Sequence, residues 1–303
     1  MWFKNLQMYR LPQPWVISQE QLEAFLLPRA MTPATGLTLQ HHGWTSPRDN
    51  GSLVHCVNRQ FFLVYSNEKK LLPASVINQV SKAKAQVLEE QLGFAPGRKQ
   101  MKEIKEQVTD ELLPRAFSIL RHTGVWIDPV HGWLVIDAAT PARADEVIKL
   151  LVESVKHLPL RALRVQQSPT TAMTQWLATN HAPKNFSIDQ EAELQSTGEG
   201  KATVRYVRHV LEAEEIKQHI ANGKQCTRLA LTWSGRVSFV LTESLTIKRV
   251  AALEVIKEGH DKKASDDEER FNTDMALMSG ELHLLIESLV SSLGDELPEQ
   301  AAA

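Results

Sequence analysis

Cysteine is almost missing from this chain. Only Cys56 and Cys226 occur, far apart and in no C-x-x-C pair. That excludes a disulfide framework and a cysteine zinc site as expectations, and both thiols read as small buried hydrophobes. Long apolar runs are missing too. No stretch of about 18 apolar residues is present, so no transmembrane helix is expected. The opening MWFKNLQMYRL is broken by Lys4 and Arg10 and followed by no small-residue cleavage site. It does not read as a signal peptide, and the expected compartment is the cytoplasm.

Catalytic signatures are equally scarce. There is no G-x-G-x-x-G and no G-x-S-x-G. Gly198-Glu199-Gly200-Lys201 imitates the end of a phosphate loop, but the motif needs glycine at position 195 and Ser or Thr at 202. Gln195 and Ala202 stand there, so the segment reads as a flexible loop. The 11 histidines include no H-E-x-x-H. His41 and His42 are adjacent and diverge on any regular element, so no metal site is expected. The acidic run Asp261, Asp266, Asp267, Glu268, Glu269 lacks the central glycine of a calcium loop. It reads as a solvated turn that caps the dipole of the following helix. The resulting expectation is a protein without catalytic residues, metal or cofactor.

What the chain does have is enough apolar material for a core: 43% of 303 residues are hydrophobic and 23% are charged. That length suggests about two domains. The net charge of −2 hides a segregation. Residues 1–257 carry 31 Lys and Arg against 24 Asp and Glu, a surplus of seven cations. Residues 258–303 carry 3 against 12, a surplus of nine carboxylates. Separation of this kind permits a positive surface on a nearly neutral protein.

Periodicity predicts an α+β fold with mixed or antiparallel sheets and helical arms. Residues 2–10 read as a first strand. Ser18 caps a helix to Leu27, with Gln21 completing a capping box. The stretch 34–52, rich in Gly, Pro and Asn, reads as loop or hairpin. Strands follow over 53–57 and 60–65, then helices over 75–92 and 98–113. Strands over 125–128 and 133–137 and a helix over 142–157 come next. Residues 204–211 read as a strand, 212–222 as a helix, and 227–233 with 237–241 as a hairpin around Ser234-Gly235. Residues 246–255 continue the sheet. A final amphipathic helix runs over 270–293, with a break possible at Gly280. The order of elements suggests two related α+β units. The expected organisation is a central domain of residues 1–74 and 114–165, a helical arm over 75–113, a tip domain over 166–257, and an acidic linker with C-terminal helix over 258–303.

Two basic sets stand out. Arg98, Lys102 and Lys105, at steps of four and three, share a helix face with Lys99 beside them. A cationic stripe suits a phosphate backbone, and equally a solvated helix face. Lys201, Arg205, Arg208 and His209 form a second set on a strand that is either a groove-entering ribbon or a charge-guarded edge. Phe117, after Leu112-Leu113-Pro114-Arg115-Ala116, fits a core aromatic, an interface aromatic or a gate. The seven tryptophans are scattered and read as core rather than as a stacking ladder.

Several segments, in order along nearly the whole chain, carry a family resemblance. They are Trp2-Phe3-Lys4-Asn5-Leu6 with Tyr9-Arg10-Leu11, Leu112-Leu113-Pro114-Arg115-Ala116-Phe117-Ser118, Trp126-Ile127-Asp128, Thr174-Gln175-Trp176, Leu229-Ala230-Leu231-Thr232-Trp233, and Arg270-Phe271-Asn272-Thr273-Asp274 leading to Met278-Ser279-Gly280-Glu281-Leu282. With them the chain resembles the RdgC family. The resemblance implies a ring-forming homodimer with a basic central hole. It also implies DNA binding, double- and single-stranded, with little sequence preference, restraint of RecA-driven strand exchange, and a nucleoid location. It places Phe117 at a dimer interface that closes like a gate. It maps a basic finger onto Arg205, Arg208 and His209. With the cations read from the sequence, Arg98, Lys99, Lys102, Lys105 and Lys201, and with Arg115, these are the expected DNA-binding residues. The family often has two adjacent lysines in that finger; here Val207-Arg208 stand instead. The alternative is an interaction module that inhibits the recombinase by direct contact through the acidic end.

Overall fold

The computed structural model describes residues 2–32, 38–48, 50–211, 214–257 and 266–297. Among them the chain is α+β, with twelve strands and eight α-helices. Every named strand pair is antiparallel, and one path runs β2-β4-β5-β6-β1-β12-β11-β10-β8-β9, with β3 beside β4 and β7 (Arg161–Ala162) beside β1.

The seam is β1 (Asn5–Arg10). Its first two residues, Asn5 and Leu6, pair with Lys248 and Ile247 of β12 (Ile247–Ala252). Its last four, Gln7 to Arg10, pair with Ile136 to Trp133 of β6 (Trp133–Ile136). One short strand thus joins an N-terminal half of β2 (Gln40–Thr45), β4 (Gln60–Lys70), β5 (Ser118–Asp128) and β6 to a C-terminal half of β12, β11 (Val237–Thr242), β10 (Lys224–Trp233), β8 (Phe186–Ser196) and β9 (Thr203–Val207).

Alternation along the strands splits the apolar residues between two cores. Phe61, Leu63, Tyr65, Val125, Ile127, Leu134 and Ile136 pack with helices α1 (Gln19–Leu26) and α4 (Pro141–Ser154). Phe62, Trp126, Trp133 and Val135 face the other way. They share a core with Leu229, Leu231, Phe239 and Leu241 of the C-terminal half, with α5 (Pro169–Thr179) and with the long helix α8 (Asp267–Ser292). Gly124 on β5 makes this contact possible: a Cβ there would lie 2.7 Å from the Phe3 ring. Helix α8 contributes Met275, Met278, Leu282, Leu285, Ile286 and Leu289 to that core, so the acidic C-terminal stretch buries its apolar face against both halves.

Several expectations hold. Ser18 accepts from Gln21 N–H and Gln21 returns the bond, a complete capping box. Asn58 and Arg59 adopt positive φ in the β3–β4 turn, with β3 spanning His55–Val57. Asp266 caps α8, with Asp267, Glu268 and Glu269 in its first turn, the dipole arrangement read from the sequence; Asp261 lies outside the described residues. Five of the tryptophans, Trp44, Trp126, Trp133, Trp176 and Trp233, are buried.

Others need correction. The segment read as loop or hairpin over 34–52 contains β2, whose partner β4 runs on to Lys70; residues 33–37 and 49 lie outside the described residues. A strand can hold Gly43 here because the chain Arg29–Met31 crosses so closely that a Cβ would meet Met31 backbone at 2.6 Å. Residues 118–128 form one strand, longer than the 125–128 read from periodicity, because pairing with β4 extends it. Helix α8 passes through Gly280 without a break, the flanking Met278 and Leu282 being locked in the core. The sheet ends at Ala252, and Glu254–Lys257 form a short helix α7. Cys226 is fully buried, but Cys56 is only half-buried; both are free thiols. Burial pushes the Cys226 thiol up to about 12, which makes it unreactive. No helix among the described residues is long and apolar enough to cross a membrane.

Candidate nucleic-acid interface

The arm is a helical hairpin, α2 (Ala74–Leu92) and α3 (Arg98–Leu112). Gly93 closes α2 at φ 79°, the left-handed cap that only glycine adopts without strain. The two helices share a small core of Ala85, Ile104 and Val108, flanked by Ile77, Val80, Leu88, Met101 and Leu112. On α3 these apolar positions recur at three- and four-residue steps. At 100° per residue, Arg98, Lys102 and Lys105 fall about a quarter turn away from them. All three are exposed, as is Lys99. Lys102 has Glu106 at 3.6 Å, an exposed pair of small worth. Arg98, Lys99 and Lys105 have no ion pair among the described residues. The arm thus presents a row of cations to solvent.

Arg115 ends a 3-10 turn, Leu113–Arg115, and is exposed. Phe117 follows and is 85% exposed, which removes core packing as its role. Its carbonyl accepts from Leu71 N–H at 2.7 Å, extending the β4–β5 pairing in which Lys69 faces Ile119 and Asn67 faces Arg121. Leu71, Phe117 and Ile119 thus share one face, all exposed. From Ser118 to His122 every residue of β5 is exposed, because this end of the ribbon outruns the helices that cover the rest.

The finger set is differently arranged. Lys201 sits at φ 41° in the β8–β9 turn, its N–H donating to Gly198 O, and is exposed. Arg205 on β9 is not open: its Nη2 lies 2.9 Å from Glu191 Oε1, while Arg249 of β12 holds Glu191 Oε2 at 2.7 Å. Burial alone would raise the Glu191 carboxyl, but hydrogen bonds and charge from Arg249 and Arg205 prevail and hold it below its usual 4.5. The expected strand over 204–211 stops at Val207, and Arg208 turns to φ 54° beyond it. His209 Nδ1 donates to Val210 O at 2.8 Å, and its Nε2 lies 3.6 Å from Glu215. The arm and finger sets stand on opposite halves of the sheet.

Two features escape a sequence reading. Arg249 joins Arg205 on one carboxylate although 44 positions separate them in the chain and β11 and β10 lie between β12 and β8 in the sheet; only the assembled fold brings them together. Asp128, His131 and His283 also converge, with one ligand atom from each within 4.8 Å of the others. Asp128 and His131 are three positions apart, a local spacing that could mark a pair, whereas nothing in the sequence points to His283. Burial lowers the His283 pKa, the nearby Glu287 carboxylate pulling the other way.

Fold and surface together define an α+β protein built on a long antiparallel sheet, with cations on two projections and an exposed aromatic edge. A family profile described as "Putative exonuclease, RdgC" matches residues 1–296. The chain is 63% identical over 300 residues to recombination-associated protein RdgC of Janthinobacterium sp. (strain Marseille), covering 99% of this chain and 100% of that protein. It is 64% identical over 296 residues to the protein of the same name from Herminiimonas arsenicoxydans (98% and 99%), and 59% identical over 303 residues to that of Paraburkholderia phymatum (100% of both). The chain belongs to the RdgC family of recombination-associated proteins. The relatives are named for recombination, whereas the profile description names an exonuclease.

Proposed function

We propose that this protein binds DNA, double- or single-stranded, with little sequence preference, as a homodimer that closes a ring around the duplex and restrains RecA-driven strand exchange by occupying the strand. The observation that carries the reading is the exposed cation row of α3, in a family named for recombination. Phosphates, not bases, supply the affinity in such an interface. The apolar face of Leu71, Phe117 and Ile119 supports a contact between subunits, since exposed apolar patches mark association sites. A nucleoid-associated cytoplasmic protein follows from that partner. No membrane partner, cofactor or catalytic residue enters the proposal.

Salt titration tests it. With about six phosphate contacts, log K falls against log salt with a slope of roughly −5; a shallow slope defeats the cationic interface. Scattering tests the ring: a compact globule of this length has a radius of gyration near 19 Å, and a hollow dimer lies far above it. Competition separates occlusion from direct contact with the recombinase. Added DNA relieves inhibition in the first case and leaves it intact in the second. The exonuclease named in the family description is tested by incubation with DNA, Mg2+ and ATP; intact DNA and nucleotide support a non-enzymatic role, and released nucleotides refute it.

A further inference from the structure

The strongest unexplained cluster lies away from both cationic projections, where the β5–β6 turn meets α8. Asp128 is fully buried. Its Oδ1 accepts from the N–H groups of Val130 and His131 at 3.0 and 3.1 Å, which fixes the carboxylate and aims Oδ2 inward. Oδ2 accepts from Gln60 Nε2 at 3.1 Å and lies 2.7 Å from His131 Nδ1. Gln60 is itself oriented by Trp126 Nε1, 3.0 Å from its Oε1. From the opposite side comes His283 of α8, whose ring stacks on that of His131 with centroids 3.6 Å apart. Glu287, one turn along the same helix face, stands 3.5 Å from His283 Nε2.

One atom in this network is left over. Among the described residues His283 Nδ1 has no hydrogen-bond partner and is buried, in a side chain only 11% exposed. An unpaired buried polar atom costs free energy, and such atoms call for an explanation. Trp133 Nε1 and Trp233 Nε1 share that condition, but neither sits in a group of ligand atoms.

We propose that Asp128, His131 and His283 form a site for one divalent transition-metal ion of the zinc or cobalt type, which staples α8 to the β5–β6 turn. The donor set of two imidazoles and a carboxylate suits such ions rather than calcium or magnesium, which prefer oxygen. Bonds of about 2.1 Å in a tetrahedron leave ligand atoms about 3.4 Å apart; donors within 4.8 Å reach that spacing when one imidazole rotates out of the stack, so that both in-plane lone pairs aim at one ion. Glu287 behind His283 and Gln60 behind Asp128 occupy the outer positions that usually orient metal ligands. The fourth position is left to water on the His131 side, where the side chain is 38% exposed. The turn is additionally held by Arg10, whose Nη1 donates to the carbonyls of His131 and Gly132 at 2.7 and 3.0 Å and whose charge is paired with Glu296. This site does not depend on the DNA-binding reading.

The test is Zn2+ titration of chelator-treated full-length protein by calorimetry, with Co2+ absorption as a second readout. One ion per chain is expected, with a tetrahedral Co2+ spectrum and a melting temperature raised by a few degrees at a hundredfold excess over Kd. His131→Asn and His283→Leu should each weaken binding at least about tenfold and abolish the thermal shift. Should His283→Leu fail to fold, the more exposed His131→Asn decides alone. Cys56→Ser should leave binding unchanged. No binding by the wild type, full binding by His131→Asn, loss of binding in Cys56→Ser, or binding without a thermal shift would each overturn the proposal.

Discussion

The body and the arm solve opposite problems with the same kinds of residue. In the body, two cores enclose the sheet, and Trp44, Trp126, Leu151 and Leu134 are all fully buried. In the arm, two helices share only Ala85, Ile104 and Val108 as buried apolar residues, while Val87, Leu92 and Phe94 stay exposed. Cations follow the same division. Arg236 of the body forks onto Glu281 of α8, and Arg205 and Arg249 share Glu191. On the arm, Arg98, Lys99 and Lys105 face water without a carboxylate among the described residues. The arm does pair Lys84 with Glu111 at 2.6 Å and Lys102 with Glu106 at 3.6 Å, but Arg98, Lys99 and Lys105 remain available to an outside polyanion, whereas Arg205, Arg236 and Arg249 of the body are used to neutralise carboxylates.

The largest expected contrast is in stability. Trp126→Ala removes a buried ring and strands Gln60, and should cost about 3–5 kcal/mol in urea unfolding. Val108→Ala in the arm should cost roughly 1–2 kcal/mol. Equal costs would mean that the arm is as tightly built as the body.

Next in size is the effect on DNA. The double charge reversal Lys102→Glu with Lys105→Glu should weaken binding on the order of a hundredfold near 0.1 M salt and flatten the salt slope by about two. Melting should not change. Wild-type affinity in that variant would take α3 out of the interface and erase the distinction between available and neutralised cations.

A smaller change is expected at the exposed edge. Phe117→Ala should shift sedimentation toward the monomer, while monomer stability stays within about 0.5 kcal/mol. An unaltered dimer would assign the subunit contact elsewhere.

The smallest effect sharpens the comparison within the body. Glu191→Gln releases Arg205 and Arg249 from their carboxylate and should raise DNA affinity a few-fold, most visibly at low salt. The same carboxyl sets a pH dependence. Its folded pKa lies below the ordinary 4.5, so its stabilising contribution is present above that value and is lost as pH falls through the lower folded value. Thermal melts from pH 6 down to 3 should therefore converge for wild type and Glu191→Gln at the acidic end. Parallel curves would show that the pair contributes nothing.

Local signals in the sequence were sufficient for local structure. Ser18 and Gln21 announced a capped helix, the three- and four-residue steps of α2 and α3 announced a hairpin arm, and Ser234-Gly235 announced the β10–β11 turn. The arm cations were legible for the same reason: a helix converts spacing directly into a face. Reading failed where partners are distant. Gly43 hid a strand that only β4 and the close passage of Met31 explain. Gly280 suggested a break that the packing of Met278 and Leu282 overrides. The double pairing of β1 has no trace in six residues of sequence. The union of Arg205 and Arg249 on Glu191, and of His283 with Asp128 and His131, likewise belongs to the assembled sheet and α8. Helix periodicity and caps arise from neighbours within four residues, so the chain alone determined them. Sheet order, exposure of Phe117 and convergence of ligands depend on which surfaces exclude water together, and only the tertiary structure decides that.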